Sequence, residues 1–281
     1  VIFTTRFAPS PTGPLHLGHA YSALLAYDMA RAAQGRFLLR IEDTDTARAR
    51  AHWETQIYDD LAWLGLAWET PVLRQSEHLE RYNAELMTLA ARGLIYPCSC
   101  RRSDIRAALS APQEGVARAP VYPGTCRGRD MSSRKPGDAL RLDMARALDA
   151  VADRLPLTFV DTGSVQPGEH TITAQQLVTH TGDPVLGRKE IETVSYVMAA
   201  VIDDARQDIT TVIRGADLFD TTPLQVLLQV LLKLPTPAYH HHRLIRDEHG
   251  KRLAKRDDAR AIATYREQGA TRADIRKWVG L

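Results

Sequence analysis

The strongest constraint on this chain is the change of apolar period between Ile2 and Leu64. Ile2 to Ala8 has strand character and runs into a loop rich in proline and glycine. From about Gly18 the residues Tyr21, Leu24, Leu25 and Met29 keep one apolar face at helical spacing. Arg36 to Ile41 is again a short run suited to a buried strand. Thr46 is then the expected cap of a helix on which Trp53, Ile57, Leu61 and Leu64 stand three and four apart. Strand, helix, strand, helix at this spacing predicts a parallel α/β sheet. The pattern returns further on, with helices predicted over Ile191 to Ala205 and Pro223 to Leu232 around a second buried strand, Asp208 to Ile213. The tail, Ala259 to Leu281, reads as two short helices, the second opening at Thr271 with Asp274 placed to complete a capping pair.

Between Tyr96 and about Leu155 this order breaks down. Cysteine, proline, glycine and arginine crowd together and periodicity is lost until Ala139 to Leu142, which reads as an inserted subdomain. From Arg101 to Lys135 eight basic residues (Arg101, Arg102, Arg106, Arg118, Arg127, Arg129, Arg134, Lys135) face Asp104, Glu114 and Asp130, a local net of +5. The whole chain carries only +2, so any polyanion partner must be argued from such local placement. With 44% hydrophobic and 25% charged residues the 281-residue chain is expected to be globular rather than disordered.

Three cysteines, Cys98, Cys100 and Cys126, make an odd and clustered set, which argues against a disulfide framework and for a reducing, cytoplasmic setting. Either they are free thiols or they are three of the four ligands of a structural zinc. No apolar run reaches the ~20 residues of a membrane span, and no secretory leader is evident at Val1 to Arg6. His240, His241 and His242 are expected at the surface, since adjacent side chains diverge on a strand.

The segment Arg6-Phe7-Ala8-Pro9-Ser10-Pro11-Thr12-Gly13-Pro14-Leu15-His16-Leu17-Gly18-His19 leads from a strand end into a helix start, where an α/β sheet places its ligands. Orphan amides and the helix dipole favour phosphate there. Gly18 removes a side chain from the approach of a nucleotide, and His16 and His19 are spaced to donate to a polyphosphate. Solvent-facing histidines or a zinc pair are the alternatives on these residues alone.

This string resembles the signature of class I aminoacyl-tRNA synthetases, in the glutamyl and glutaminyl branch. Arg40-Ile41-Glu42-Asp43-Thr44-Asp45, Tyr196 through Asp203-Asp204, and Val212-Ile213-Arg214-Gly215-Ala216-Asp217 resemble the same branch in the same order. Arg252-Leu253-Ala254-Lys255-Arg256 is similar to the family's lysine loop, departing from it at Arg252, Ala254 and Arg256. The resemblance implies a Rossmann-type parallel sheet with an inserted zinc-binding subdomain and a short helical C-terminal part. It implies ATP as substrate, with Mg2+, held by His16, Gly18, His19 and Lys255, of which the two histidines and the lysine are catalytic. Glutamate falls to Arg6 and Arg214 for its carboxylates, Glu42 for its ammonium, and Tyr196 and Ser10 beside it. Asp43 and Asp45 are either a solvated turn or a brace for that loop. Cys98, Cys100, Tyr122 and Cys126 match the zinc ligands of one subgroup.

The expected divisions are 1–95 and 156–235 for the two halves of the catalytic domain, 96–155 for the insert, and 236–281 for the lysine loop and tail. About twenty-five residues follow Arg256, too few for an anticodon-binding domain. That combination resembles the short paralogues that attach glutamate to queuosine in the anticodon of tRNA(Asp), so activation without tRNA and a monomer are expected. A truncated glutamyl-tRNA synthetase charging the 3′ end of tRNA(Glu), or a silent paralogue with a binding role, are the alternatives.

Overall fold

The computed structural model describes residues 1–109, 121–189, 193–245 and 260–281. In chain order its elements are β1 (Thr4–Phe7), α1 (Leu17–Ala32), β2 (Arg36–Ile41), α2 (Ala51–Trp63), β3 (Leu73–Arg74), α3 (Leu79–Ala91), β4 (Ile95–Cys98) and α4 (Arg102–Leu109). Then come β5 (Ala139–Leu142), α5 (Met144–Asp149), β6 (Leu157–Asp161), β7 (Gly168–Ile172), α6 (Ala174–Gln176) and β8 (Val185–Gly187). The chain continues with α7 (Tyr196–Arg206), β9 (Thr211–Gly215), α8 (Thr222–Leu231), β10 (Ala238–His242), α9 (Ile262–Glu267) and α10 (Arg272–Val279).

The apolar runs of β2 and β9 are continuous because both faces of their sheet are covered. Leu38 packs with Tyr82 of α3, Met198 of α7 and Leu227 of α8, while Phe37, Leu39 and Ile41 pack with Leu24 of α1, Ile57 and Leu61 of α2. Val212 and Ile213 of β9 divide between the same two layers. Side chains alternate across a strand, so a run without alternation in polarity needs helices on both sides. Full burial of each such Leu, Ile or Phe is worth about 1.5–3 kcal/mol.

Strands β1, β2 and β3 run parallel, with Arg6 beside Leu38 and Ile41 beside Arg74. A second set has the order β7-β6-β10-β9, parallel except for the β6–β7 hairpin. The sets meet at β1 and β9: the Thr4 amide donates to Thr210 Oγ1 and the Thr210 amide to the Thr4 carbonyl, both at 2.9 Å. From this junction the connections run outward in opposite directions, which opens a crevice at the carboxyl ends of the strands. Arg6 and Arg214 lie there.

A third, antiparallel sheet has the order β4-β5-β8. Its first strand begins at Ile95 and its last, Val185–Gly187, comes from well beyond Leu155, so two distant stretches build it.

Two local expectations are corrected. Helix α2 starts at Ala51 rather than near Thr46, and its N-cap is Arg50. The Asp45 carbonyl takes the amides of Arg48 and Ala49, and the Pro11 carbonyl takes that of Arg50, so a separate turn uses up the chain before the helix. His240, His241 and His242 do not form a surface strand. They lie on β10 between β9 and β6, with His241 and His242 buried. The side chains do diverge, but both faces of this inner strand are packed. Among the described residues no helix is long and apolar enough to cross a membrane.

Candidate active site

The loop after β1 delivers the chain to α1 through a pair of imidazoles. His16 is the N-cap, and its Nδ1 accepts from the Gly18 amide at 3.1 Å. The His16 amide donates to Nδ1 of His19 at 3.1 Å, and the rings lie 3.8 Å apart. Helix starts leave amides without intrahelical partners, so these contacts cap the helix. With Nδ1 accepting on each ring, the neutral imidazole carries its proton on Nε2. Two N–H donors are thereby set at the positive end of a helix, a place that favours anions.

At the adjoining strand ends the charges are buried and paired. Arg6 donates from Nε to Asp204 Oδ1 at 2.8 Å and from Nη2 to Oδ2 at 3.3 Å. Arg40, wholly buried on β2, donates from Nη1 to the same carboxylate at 2.8 Å and from Nη2 to Glu42 at 3.2 Å. Burial pushes the Asp204 carboxyl up, but Arg6 and Arg40 outweigh it and hold it down at about 2. Glu42 shows the opposite balance: burial raises its carboxyl, only partly offset by Arg40 and Arg6. A buried carboxylate short of positive charge is suited to receive an ammonium. Asp203 braces the network from behind, accepting from Tyr82 Oη and Gln75 Nε2, each at 2.8 Å.

Arg214 is held differently. Its Nε donates to His241 Nε2 at 3.0 Å and its Nη2 to Thr222 Oγ1 at 2.8 Å. His241 in turn donates from Nδ1 to Asp161 Oδ2 at 2.6 Å. Burial, then Arg214, lowers the imidazole to about 4, so it is neutral and accepts at Nε2. Carboxylate and imidazole thus orient a guanidinium whose Nη1 is buried with no hydrogen-bond partner among the described residues. An orphaned charged donor of this kind is costly unless a ligand completes it.

Ser10, His19, Glu42 and Tyr196 line one cavity of about 460 Å³. Arg6 and Arg214 stand behind it at the ends of β1 and β9, and His16 and Gly18 lie beside it at the start of α1. Asp45, Arg48, Gln75 and Arg188 also line the cavity. Asp45 bridges Arg48 at 2.7 Å and Arg188 at 3.6 Å, while Asp43 accepts from the amide and hydroxyl of Ser76 at 2.8 and 2.6 Å. Both acids brace their loop. Lys255 lies outside the described residues. On either side of that stretch Ile245 and Ile262 are buried, and the Ile262 amide donates to the Leu15 carbonyl at 2.9 Å, beside the start of α1.

Sequence reasoning assigned no role to Asp204, Arg40, Asp161 or His241. Asp204 sits in the Tyr196–Asp204 stretch, where two adjacent acids follow an apolar run, and that was the available signal. Nothing local marks His241 as the partner of Arg214.

The three sulfurs of Cys98, Cys100 and Cys126 lie within 4.8 Å of one another. Cys100 and Cys126 are 3.5 Å apart, and Tyr122 Oη lies 3.4 and 3.5 Å from Cys98 and Cys100. A tetrahedral zinc with Zn–S of ~2.3 Å and Zn–O of ~2.0 Å sets its ligands about 3.5–3.8 Å apart, so the spacing fits one ion. Tyr122 Oη accepts the Cys126 amide at 2.8 Å, and the Arg141 guanidinium lies 3.8 Å over its ring. Gly124 at φ +83° permits the turn that brings Tyr122 and Cys126 together.

A family model described as tRNA synthetases class I (E and Q), catalytic domain, matches residues 3–281, and the chain belongs to that family of ATP-dependent ligases. Within it, the chain is 55% identical over 281 residues to the glutamyl-Q tRNA(Asp) synthetase of Rhodobacter capsulatus, covering 99% of each. It is 39% identical over 274 residues to the protein of that name from Symbiobacterium thermophilum, covering 95% of this chain and 82% of the other. Among solved structures it is similar to a glutamate tRNA ligase of Elizabethkingia meningosepticum in complex with its amino acid, at 28% identity and TM-score 0.77. That match covers 99% of this chain, which spans 60% of the ligase. The fold is therefore the class I synthetase fold, α/β with a parallel sheet.

Proposed function

We propose that this protein activates glutamate with ATP and Mg2+ as glutamyl-adenylate and transfers the glutamyl group to queuosine in the anticodon of tRNA(Asp). The observation that carries the glutamate reading is the orphaned Nη1 of Arg214, buried at the strand-end edge that also holds Arg6 and Glu42, whose carboxyl burial raises. A dicarboxylate with an ammonium complements that set, and glutamine offers the guanidinium only a neutral amide. Tyr196 and Ser10 line the substrate's side.

In activation, a glutamate α-carboxylate oxygen attacks the α-phosphorus of ATP and pyrophosphate leaves. His16 and His19 donate from Nε2 to the phosphate oxygens, and Lys255 follows the pyrophosphate as it gains charge. In transfer, a hydroxyl of the queuosine diol attacks the activated carbonyl and AMP departs. Cys98, Cys100, Tyr122 and Cys126 hold zinc, which when bound supplies a structural crosslink for the insert.

The test is labelling with radioactive glutamate. The expected result is pyrophosphate exchange with glutamate and ATP alone, then label on queuosine-containing tRNA(Asp) that persists after removal of its 3′-terminal adenosine. Label only on the 3′ end of tRNA(Glu) overturns the acceptor. No exchange at all overturns the enzyme.

A further inference from the structure

Next to the substrate cavity lies a second one, of about 520 Å³, walled by α3, the loop before β5 and the segment after β8. Arg188 lines both. The floor is apolar, with Leu86, Met87 and Leu140, and Asn83 offers an amide at its side. Met87 is 38% exposed at the cavity wall. The rim is cationic: Arg134, Lys135, Arg188 and Lys189 surround the opening.

The balance of charge is what gives the cavity direction. Among the described residues its one acid, Asp138, is already engaged by Arg129 at 3.0 Å, Ser99 at 2.5 Å and the Lys135 amide at 3.0 Å. Among the described residues Lys189 reaches only the Ser99 carbonyl, at 3.4 Å, and Arg188 shares Asp45 with Arg48. The side chains of Arg134 and Lys135 make no ion pair or hydrogen bond among the described residues. A hollow with an apolar floor, an amide at the side and, among the described residues, more cations than acids at the rim suits a nucleotide, base inward and phosphate outward.

We propose that this cavity seats a nucleotide of the acceptor RNA next to the one that reacts, with its backbone phosphate on Arg134 and Lys135. The shared wall at Arg188 places the neighbouring nucleotide at the substrate cavity, where the activated carbonyl stands. This assignment rests on the proposed transfer to RNA, and it names where that RNA is gripped.

The experiment compares the full chain with Arg134→Ala/Lys135→Ala and, separately, with Lys189→Ala. Binding of a queuosine-bearing tRNA(Asp) anticodon stem-loop is measured across a range of salt, and glutamate-dependent pyrophosphate exchange reports the integrity of the first cavity. Exchange should stay at its original rate. Affinity of the double variant should fall ~10-fold at moderate salt, and its log K against log salt slope should become shallower by roughly 0.7, as for one phosphate no longer neutralised in a single-stranded loop. Lys189→Ala should shift both in the same direction by less. Unchanged affinity and slope in both variants, with exchange intact, overturn the proposal. If the unvaried protein labels only the 3′ end of tRNA(Glu), the anticodon reading fails instead, and the same slope measured with that tRNA still decides the cavity.

Discussion

Two arginines at equivalent strand ends are prepared in opposite ways. Arg6 is neutralised by Asp204, whereas Arg214 is oriented by a neutral imidazole and keeps its full charge for a ligand. Asp204 also neutralises Arg40, so a single carboxylate holds two guanidinium groups in a dry site. Its carboxyl lies at about 2 in the folded chain against 3.8 for the ordinary group. The folded form therefore resists protonation, and the stability it contributes is present above pH 4 and lost as pH falls toward 2. We expect the stability advantage of the unvaried chain over Asp204→Asn, measured by urea unfolding, to shrink by about 2 kcal/mol over that window. An advantage independent of pH from 5 to 2 would show that the carboxylate's charge is not what holds these arginines.

The antiparallel sheet buries Ile95, Leu140, Leu142 and Leu186 in the main core, but the thiol cluster on it has only a small apolar core of its own, Tyr96, Cys98 and Tyr122 with a few partly buried neighbours. So little burial leaves the turn from Tyr122 to Cys126 dependent on another crosslink. Purified protein is expected to carry about one zinc per chain by elemental analysis. Cys126→Ser should release it and expose the 121–129 stretch to protease, while pyrophosphate exchange, which belongs to the parallel sheet, persists. Metal-free protein with the same protease resistance as the purified sample would sink the assignment. At this scale the sequence was only partly legible. The glycine turn and the three cysteines were visible, but a sheet that recruits Val185–Gly187 was not, because a three-residue strand carries no period of its own.

Across the whole molecule the candidate site is assembled from distant parts, β1 and α1 from the start and α7, β9 and β10 from the later half. Lys255→Ala is expected to slow glutamyl-adenylate formation by ~10²–10³, roughly 3–4 kcal/mol, with little change in glutamate binding. Arg256→Ala should do much less, and equal mild losses from both in pyrophosphate exchange would show that Lys255 has been misassigned. The alternation of strand and helix, the loop before α1 and the residue types of the pocket were all written locally, in period, turn chemistry and the order of charged residues. That is why the parallel sheet could be read in advance, while the candidate residues followed from the resemblance of their motifs. Only the tertiary structure decided that His241 and His242 of β10 are internal, that His241 and Asp161 aim Arg214, and that Asp204 ties Arg6 to Arg40. Those pairings join residues as far apart as 198 positions, and the cost of burying a charge, which selects its partner, exists only once the chain has folded around it.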